Sequence, residues 1–129
     1  MPQDAANTPA PDLASRPDLA SRYVDVAAIP WAPTRFPGVV AKTLMEDKAS
    51  GLLTMLMRWE PGAKLPWHEH VRVEQTFVLE GSFEDADGVC SAGNFVWRPQ
   101  GSRHDAWTRD GATMLAVFLA PNKFFDQPA

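Results

Sequence analysis

Apolar and polar residues alternate in short runs along most of this chain, and nowhere does an apolar i, i+3, i+4, i+7 pattern persist long enough to propose a substantial helix. Between positions 53 and 59, Leu53, Met55, Met57 and Trp59 share one face while Thr54 and Arg58 lie on the other, the pattern of a half-buried strand. Short strands are expected at 39–45, 53–59, 74–79, 94–97, 104–107 and 113–119, each bounded by Gly, Pro or Asp clusters. Asp87-Gly88 and Asp110-Gly111 are hairpin-closing dipeptides. Many short strands separated by such turns predict an all-β sandwich or barrel.

The first 22 residues break this pattern. They hold the tandem hexapeptide PDLASRPDLASR at 11–22, four of the 12 prolines and few core formers. A unit that occurs twice cannot build a solenoid, so 1–22 is expected to be a Pro/Ala-rich tail, disordered or loosely docked, with 23–129 as the folded domain. At 129 residues and 45% hydrophobic content the chain can bury one core. Its net charge of -4 and scattered basic residues argue against a nucleic acid or an anionic membrane as partner and leave a small molecule. The single Cys90 excludes an intrachain disulfide and suits a reducing compartment. No apolar run approaches the roughly 20 residues of a membrane span, and the start MPQDAANTPAPDL lacks the basic and apolar regions of a signal peptide. The expectation is a soluble, cytoplasmic protein.

The stretch Trp67 to Glu74, WHEHVRVE, changes the picture. As a straight strand it places His68, His70, Arg72 and Glu74 on one side and Glu69, Val71 and Val73 on the other, which taken alone suits a wet sheet surface somewhat better than a metal site. Three further observations favour the metal. The chain has three histidines, and the third, His104, sits in another Gly/Pro-punctuated segment, GNFVWRPQGSRHDAWT. Gly62 and Gly81 frame the first segment as G-x5-H-x-H-x3-E-x6-G, and the second reads G-x5-P-x-G-x2-H from Gly93 through Pro99 and Gly101 to His104.

In these two segments, over residues 62–108, the chain resembles the cupin superfamily, whose second motif usually closes on Asn where this chain has Thr108. The resemblance implies an RmlC-like cupin β-barrel, a jelly-roll-like double-stranded β-helix, with His68, His70, Glu74 and His104 as metal ligands and Glu74 in a dual role as ligand and base. The substitution at Thr108 puts a local hydrogen bond in doubt. Imidazoles and a carboxylate suit one divalent ion: Fe(II) is favoured, with Zn(II), Mn(II), Ni(II) or Cu(II) also compatible. Four protein ligands on an octahedral ion leave two positions for a chelating substrate, or for substrate and dioxygen. From the reference imidazole pKa near 6.5, metal affinity and stability should fall together as pH drops through about 6 to 5.

A cation in line with the metal would be repelled, so the strand is not expected to run straight through 71–73: a turn there would swing Arg72 outward and return Glu74 from the next strand. By parity Trp67 and Trp107 point away from the metal into packing, while Trp97 is left open. Arg98 and Arg103 are expected in rim salt bridges rather than on a substrate carboxylate, Cys90 as a packing residue in a short hairpin, and Phe124 and Phe125 over an open barrel end or a dimer contact.

More narrowly, FVLEGSFEDADGVCSAGNFVWRPQGSRH resembles the ChrR-type cupins, which include the zinc-binding C-terminal domain of certain anti-sigma factors. IPWAPTRFPGVVAKTLMED followed by MRWEPGAKLPWHEH resembles dihydroxyacetophenone or acetylacetone dioxygenases. These resemblances imply a non-haem Fe dioxygenase acting on a small diketone or hydroxyketone. Alternatives are a non-catalytic zinc-binding sensor cupin and a metal-dependent isomerase or lyase, and a homodimer is expected in each case.

Overall fold

The structure, a computed structural model, describes residues 17–125. The start of the chain, with the first of the two copies of the tandem repeat, and residues 126–129 lie outside it. Two 3-10 turns, Pro17–Leu19 and Val26–Ala28, lead into ten strands: β1 Ala32–Pro33, β2 Val39–Asp47, β3 Leu52–Trp59, β4 Lys64–Glu69, β5 Glu74–Asp85, β6 Gly88–Ser91, β7 Phe95–Arg98, β8 Arg103–Trp107, β9 Ala112–Phe118 and β10 Lys123–Phe124. They form an antiparallel sheet in the order β1-β2-β3-β9-β5-β8-β4-β10, with β6 and β7 also on β5, that curls into the expected all-β barrel.

The inward face follows the predicted period of two. On β9, Ala112, Met114, Ala116 and Phe118 are buried in alternation, and on β3 Met57 and Trp59 are buried while Leu53 and Met55 pack more loosely on the same cluster. Alanines at 41, 63, 106, 112 and 116 take up little of this interior, which leaves space for side chains that are not hydrocarbon. Trp67 and Trp107 are half-buried, and Trp97 is exposed.

Strand β5 is longer than its sequence suggests, because it serves two halves of the barrel. Residues 74–81 pair with β9, and 74–77 also with β7, whereas 82–85 pair with β6 across a turn at Ala86-Asp87, so that Gly88, expected in the turn, opens β6 instead. Between the halves the register slips near Leu79 and Gly81 takes a φ of 70°. Glu74 and Asp85 therefore stand at opposite ends of one strand and both point inward, buried.

Strand β4 ends at Glu69, and Val71 and Arg72 form an exposed bend before Glu74 opens β5. This is the turn expected from the charge of Arg72. His70 sits just past β4, with its N–H donating to Ser102 O at 2.9 Å and its carbonyl accepting from Gly101 N–H at 2.8 Å.

Candidate metal centre

The β4–β8 ladder sets two of the three imidazoles directly opposite one another, His68 against His104. Its register slips between Leu65 and His68, where Pro66 has no N–H to give to a ladder. The slip puts Leu65 and His68, three residues apart, on the same buried face. It also frees the Pro66 carbonyl to accept from His68 Nδ1 at 2.7 Å.

The other two imidazoles are held in the same way. His70 Nδ1 is 3.0 Å from Ser102 O and 2.9 Å from Ser102 Oγ, and His104 Nδ1 is 2.7 Å from Asp85 Oδ2. An Nδ1 that donates to oxygen fixes the tautomer that leaves the Nε2 lone pair free, the arrangement of metal-bound histidines. One ligand-capable nitrogen from each of His68, His70 and His104 lies within 4.8 Å of the others, and the ring centroids are 4.7 to 5.0 Å apart. These three residues could hold a metal ion.

Electrostatics suit a cation. Burial above all, together with the charges of neighbouring imidazoles, lowers His68 and His70 from 6.5 to about 4, so both stay neutral and available as ligands at ordinary pH. His70 Nε2 is buried with no hydrogen-bond partner among the described residues, an acceptor orphaned at high cost unless something electrophilic faces it.

Glu74 borders this cluster without joining it. Its Oε1 is 3.6 Å from His70 Nε2, and Asn122 Nδ2 donates to the same oxygen at 3.0 Å. Thr76 Oγ1 donates to Oε2 at 3.2 Å. The sequence had marked neither Thr76 nor Asn122.

Asp85 and Ser102 were missed as well. Asp85 Oδ1 accepts the N–H groups of Asp87 and Gly88, the ordinary work of an Asp in a turn, while Oδ2 accepts from both His104 Nδ1 and Arg98 Nη1, each at 2.7 Å. Burial works to raise this carboxyl, but the bonds from His104 and Asp87 and the Arg98 charge outweigh it and hold it below the ordinary carboxylate range. Turn chemistry hid it, since EDADG reads as a hairpin tip.

Arg98 is thus in a salt bridge, though a buried one behind a histidine rather than on the rim. Arg103 does pair on the surface, with Glu69 at 2.8 Å. Thr108, where the usual motif has Asn, makes local hydrogen bonds through its hydroxyl, which donates to Ser82 O at 2.7 Å and accepts from Gly111 N–H at 3.0 Å. Cys90 is buried, and burial pushes its thiol up, as befits a packing residue. Phe124 packs its ring 4.9 Å from His68 and 4.7 Å from Phe36. No helix among the described residues is long and apolar enough to cross a membrane.

Among solved structures, the acetylacetone dioxygenase of Acinetobacter johnsonii superposes with a TM-score of 0.77 at 19% identity, over 84% of this chain and 80% of that one. A putative acetylacetone dioxygenase from Methylibium petroleiphilum PM1 gives 0.77 at 20% identity over 86% and 87%. The polyketide cyclase RemF of Streptomyces resistomycificus gives 0.67 at 17% identity over 84% and 89%. At these identities the likeness is one of fold. No curated protein matches the sequence. The ChrR cupin-like domain family matches residues 19–123, most of the chain. With its cupin barrel and paired histidine segments, the chain belongs to the ChrR cupin-like family.

Proposed function

We propose that this protein is a non-haem Fe(II) dioxygenase acting on a small diketone or hydroxyketone. The observation that carries the reading is the buried cluster of three imidazoles, each fixed through Nδ1 by Pro66, Ser102 or Asp85, with the Glu74 carboxylate 3.6 Å from the free Nε2 of His70. In this reading His68, His70, His104 and Glu74 hold one divalent ion, with Glu74 also the group that takes a proton from the substrate. The ion supplies Lewis acidity toward ketone oxygens and, as iron, the electrons that dioxygen chemistry needs. The chain supplies orientation and dryness, with Phe83, Met114 and Phe118 walling the chamber beside the cluster. The fold shared with the acetylacetone dioxygenase of Acinetobacter johnsonii supports the choice of substrate class. The partners proposed are the small molecule and a second copy of the chain, in the cytoplasm.

Protein purified without added metal under anaerobic conditions should carry close to one iron per chain and consume dioxygen when acetylacetone is supplied. Stoichiometric zinc, with no uptake across a panel of diketones and hydroxyketones, would end the dioxygenase reading. It would favour instead a zinc-holding ligand-binding module, the second reading, which the ChrR cupin-like match supports. In either reading His68→Ala and His104→Ala should each lose the metal, and unchanged metal content in both would refute the ligand assignment.

A further inference from the structure

The barrel interior is divided. On the side of the cluster lined by Glu74, Thr76 and Phe83 the free space is about 30 Å³, room for roughly two waters at ~10–15 Å³ each. A diketone does not fit there whole. The polar groove on the opposite side of His70 and His104 measures about 190 Å³, but Ser102 and Asp85 line it, and these bind the Nδ1 atoms. It is therefore the back of the imidazoles and leads away from their free lone pairs.

A third space adjoins the small chamber through a shared wall of Met57, Leu65, Phe118 and Asn122. It holds about 180 Å³, and its remaining lining includes Phe36, Leu53, Met55 and Phe124, with Thr34 and Asn122 as its polar side chains. Asn122 is its inner gatepost. Because Nδ2 donates to Glu74, the amide oxygen must face the other way, and Oδ1 is buried with no partner among the described residues. A buried acceptor without a donor is unfavourable, and a ligand bearing a hydroxyl or enol proton would relieve it.

Resting on the metal-centred reading above, we infer that this outer chamber is a tail subsite. It takes the aryl or alkyl group of a small ligand whose oxygen-bearing head passes Asn122 to reach the three imidazoles. The ligand class is thereby narrowed to a neutral molecule with an apolar body on one side and an enolisable or hydroxylated ketone on the other. A doubly charged ligand would find no counter-ion in the outer chamber, and a sugar-like one only the side chains of Thr34 and Asn122 to pair with.

The full-length protein loaded with Zn(II), which prevents turnover, is titrated calorimetrically with acetylacetone and with benzoylacetone. Exchanging a methyl for a phenyl that becomes buried in the chamber should tighten binding by about 10-fold or more. Leu53→Trp and Met55→Trp, which fill the chamber, should each abolish that preference while zinc stoichiometry stays at the wild-type value. Equal affinities in the wild type, or a preference that survives both substitutions, overturns the inference. As a measure independent of the variants and of the metal, acetophenone added to the metal-free wild type should shift the methyl NMR signals of Met55 and Met57. Their failure to move also overturns it. Shifted methionine signals with neither diketone bound by the zinc form would keep the tail subsite and remove the diketone head from the proposed function.

Discussion

Each imidazole of the cluster is held at Nδ1, and the three holders differ in kind: a carbonyl for His68, a carbonyl and a hydroxyl for His70, and a carboxylate for His104. Removing them should therefore have unequal effects. Asp85→Asn takes the charge from the acceptor of His104 and leaves Arg98, whose side chain is 14% exposed, without its counter-ion. Metal affinity should fall about 10- to 100-fold by chelator competition. Ser102→Ala leaves the backbone acceptor of His70 in place and should cost far less; equal losses in the two variants would show that the charge of Asp85 is irrelevant. Titration gives a second prediction at this scale. His68 and His70 sit at about 4 in the folded, metal-free protein and near 6.5 once unfolded. Between those values the unfolded chain takes up protons that the folded chain does not, so the contribution to stability is full above pH 6.5 and is lost as pH falls toward 4. Urea unfolding of the metal-free protein at pH 7.5, 5.5 and 4.5 should show a stepwise drop of a few kcal/mol in all. Flat stability across that range would mean the two imidazoles are not buried as described. For His68 and His70, burial moves folded-state protonation down to about 4, below the window of 6 to 5 that the reference imidazole value gives.

At the scale of elements, the glycines that frame the two histidine segments are not equivalent. A Cβ on Gly81 would overlap the Gly111 carbonyl where β5 turns from one half of the barrel to the other, whereas one on Gly101, at φ 88°, would meet nothing. Gly101→Ala should thus lose only the conformational penalty of about 1–2 kcal/mol. Gly81→Ala must also displace backbone and should lower Tm far more, and comparable melting temperatures for the two would count against the β5 corner. The same elements show what could be read in advance. The β4–β5 bend was legible because a cation, Arg72, stood in phase with three ligand-type residues. The strands β3 and β9 were legible from alternation. The extension of β5 to Asp85 was not, since past the bulge near Leu79 four of its six residues carry charge or no side chain, and from Ser82 onward the partner strand changes. Asn122 escaped for a different reason: it reaches Glu74 from 48 residues away, through tertiary packing that has no local pattern.

For the whole molecule, the alternation that buries Glu74, Thr76 and Val78 turns their neighbours on β5 outward. Phe77 and Leu79 are 42% and 48% exposed, and on β7, paired in register with β5, Phe95 and Trp97 are 51% and 57% exposed. Singly exposed apolar residues are ordinary, but a contiguous set with two aromatic rings and an indole on one sheet face is the composition of an interface core rather than of a free surface. We propose that this face, on the outer wall of the strand whose inner face carries Glu74, is where a second copy of the chain would dock. A stable interface needs about 800 Å² from each partner, more than four side chains supply, so neighbouring residues of β9 and β5 must contribute to it. Trp97→Glu and Phe77→Lys place charges in that face without touching the interior. Both should convert a dimer to a monomer in light scattering at micromolar concentration while metal content stays near the wild-type value. A dimer that withstands both substitutions would move the interface elsewhere, and a wild-type monomer would leave the face for a different partner. Retained metal in the monomeric variants would further show that the three-imidazole cluster is complete within a single chain, as its ligand and Nδ1 contacts, all drawn from one barrel, require.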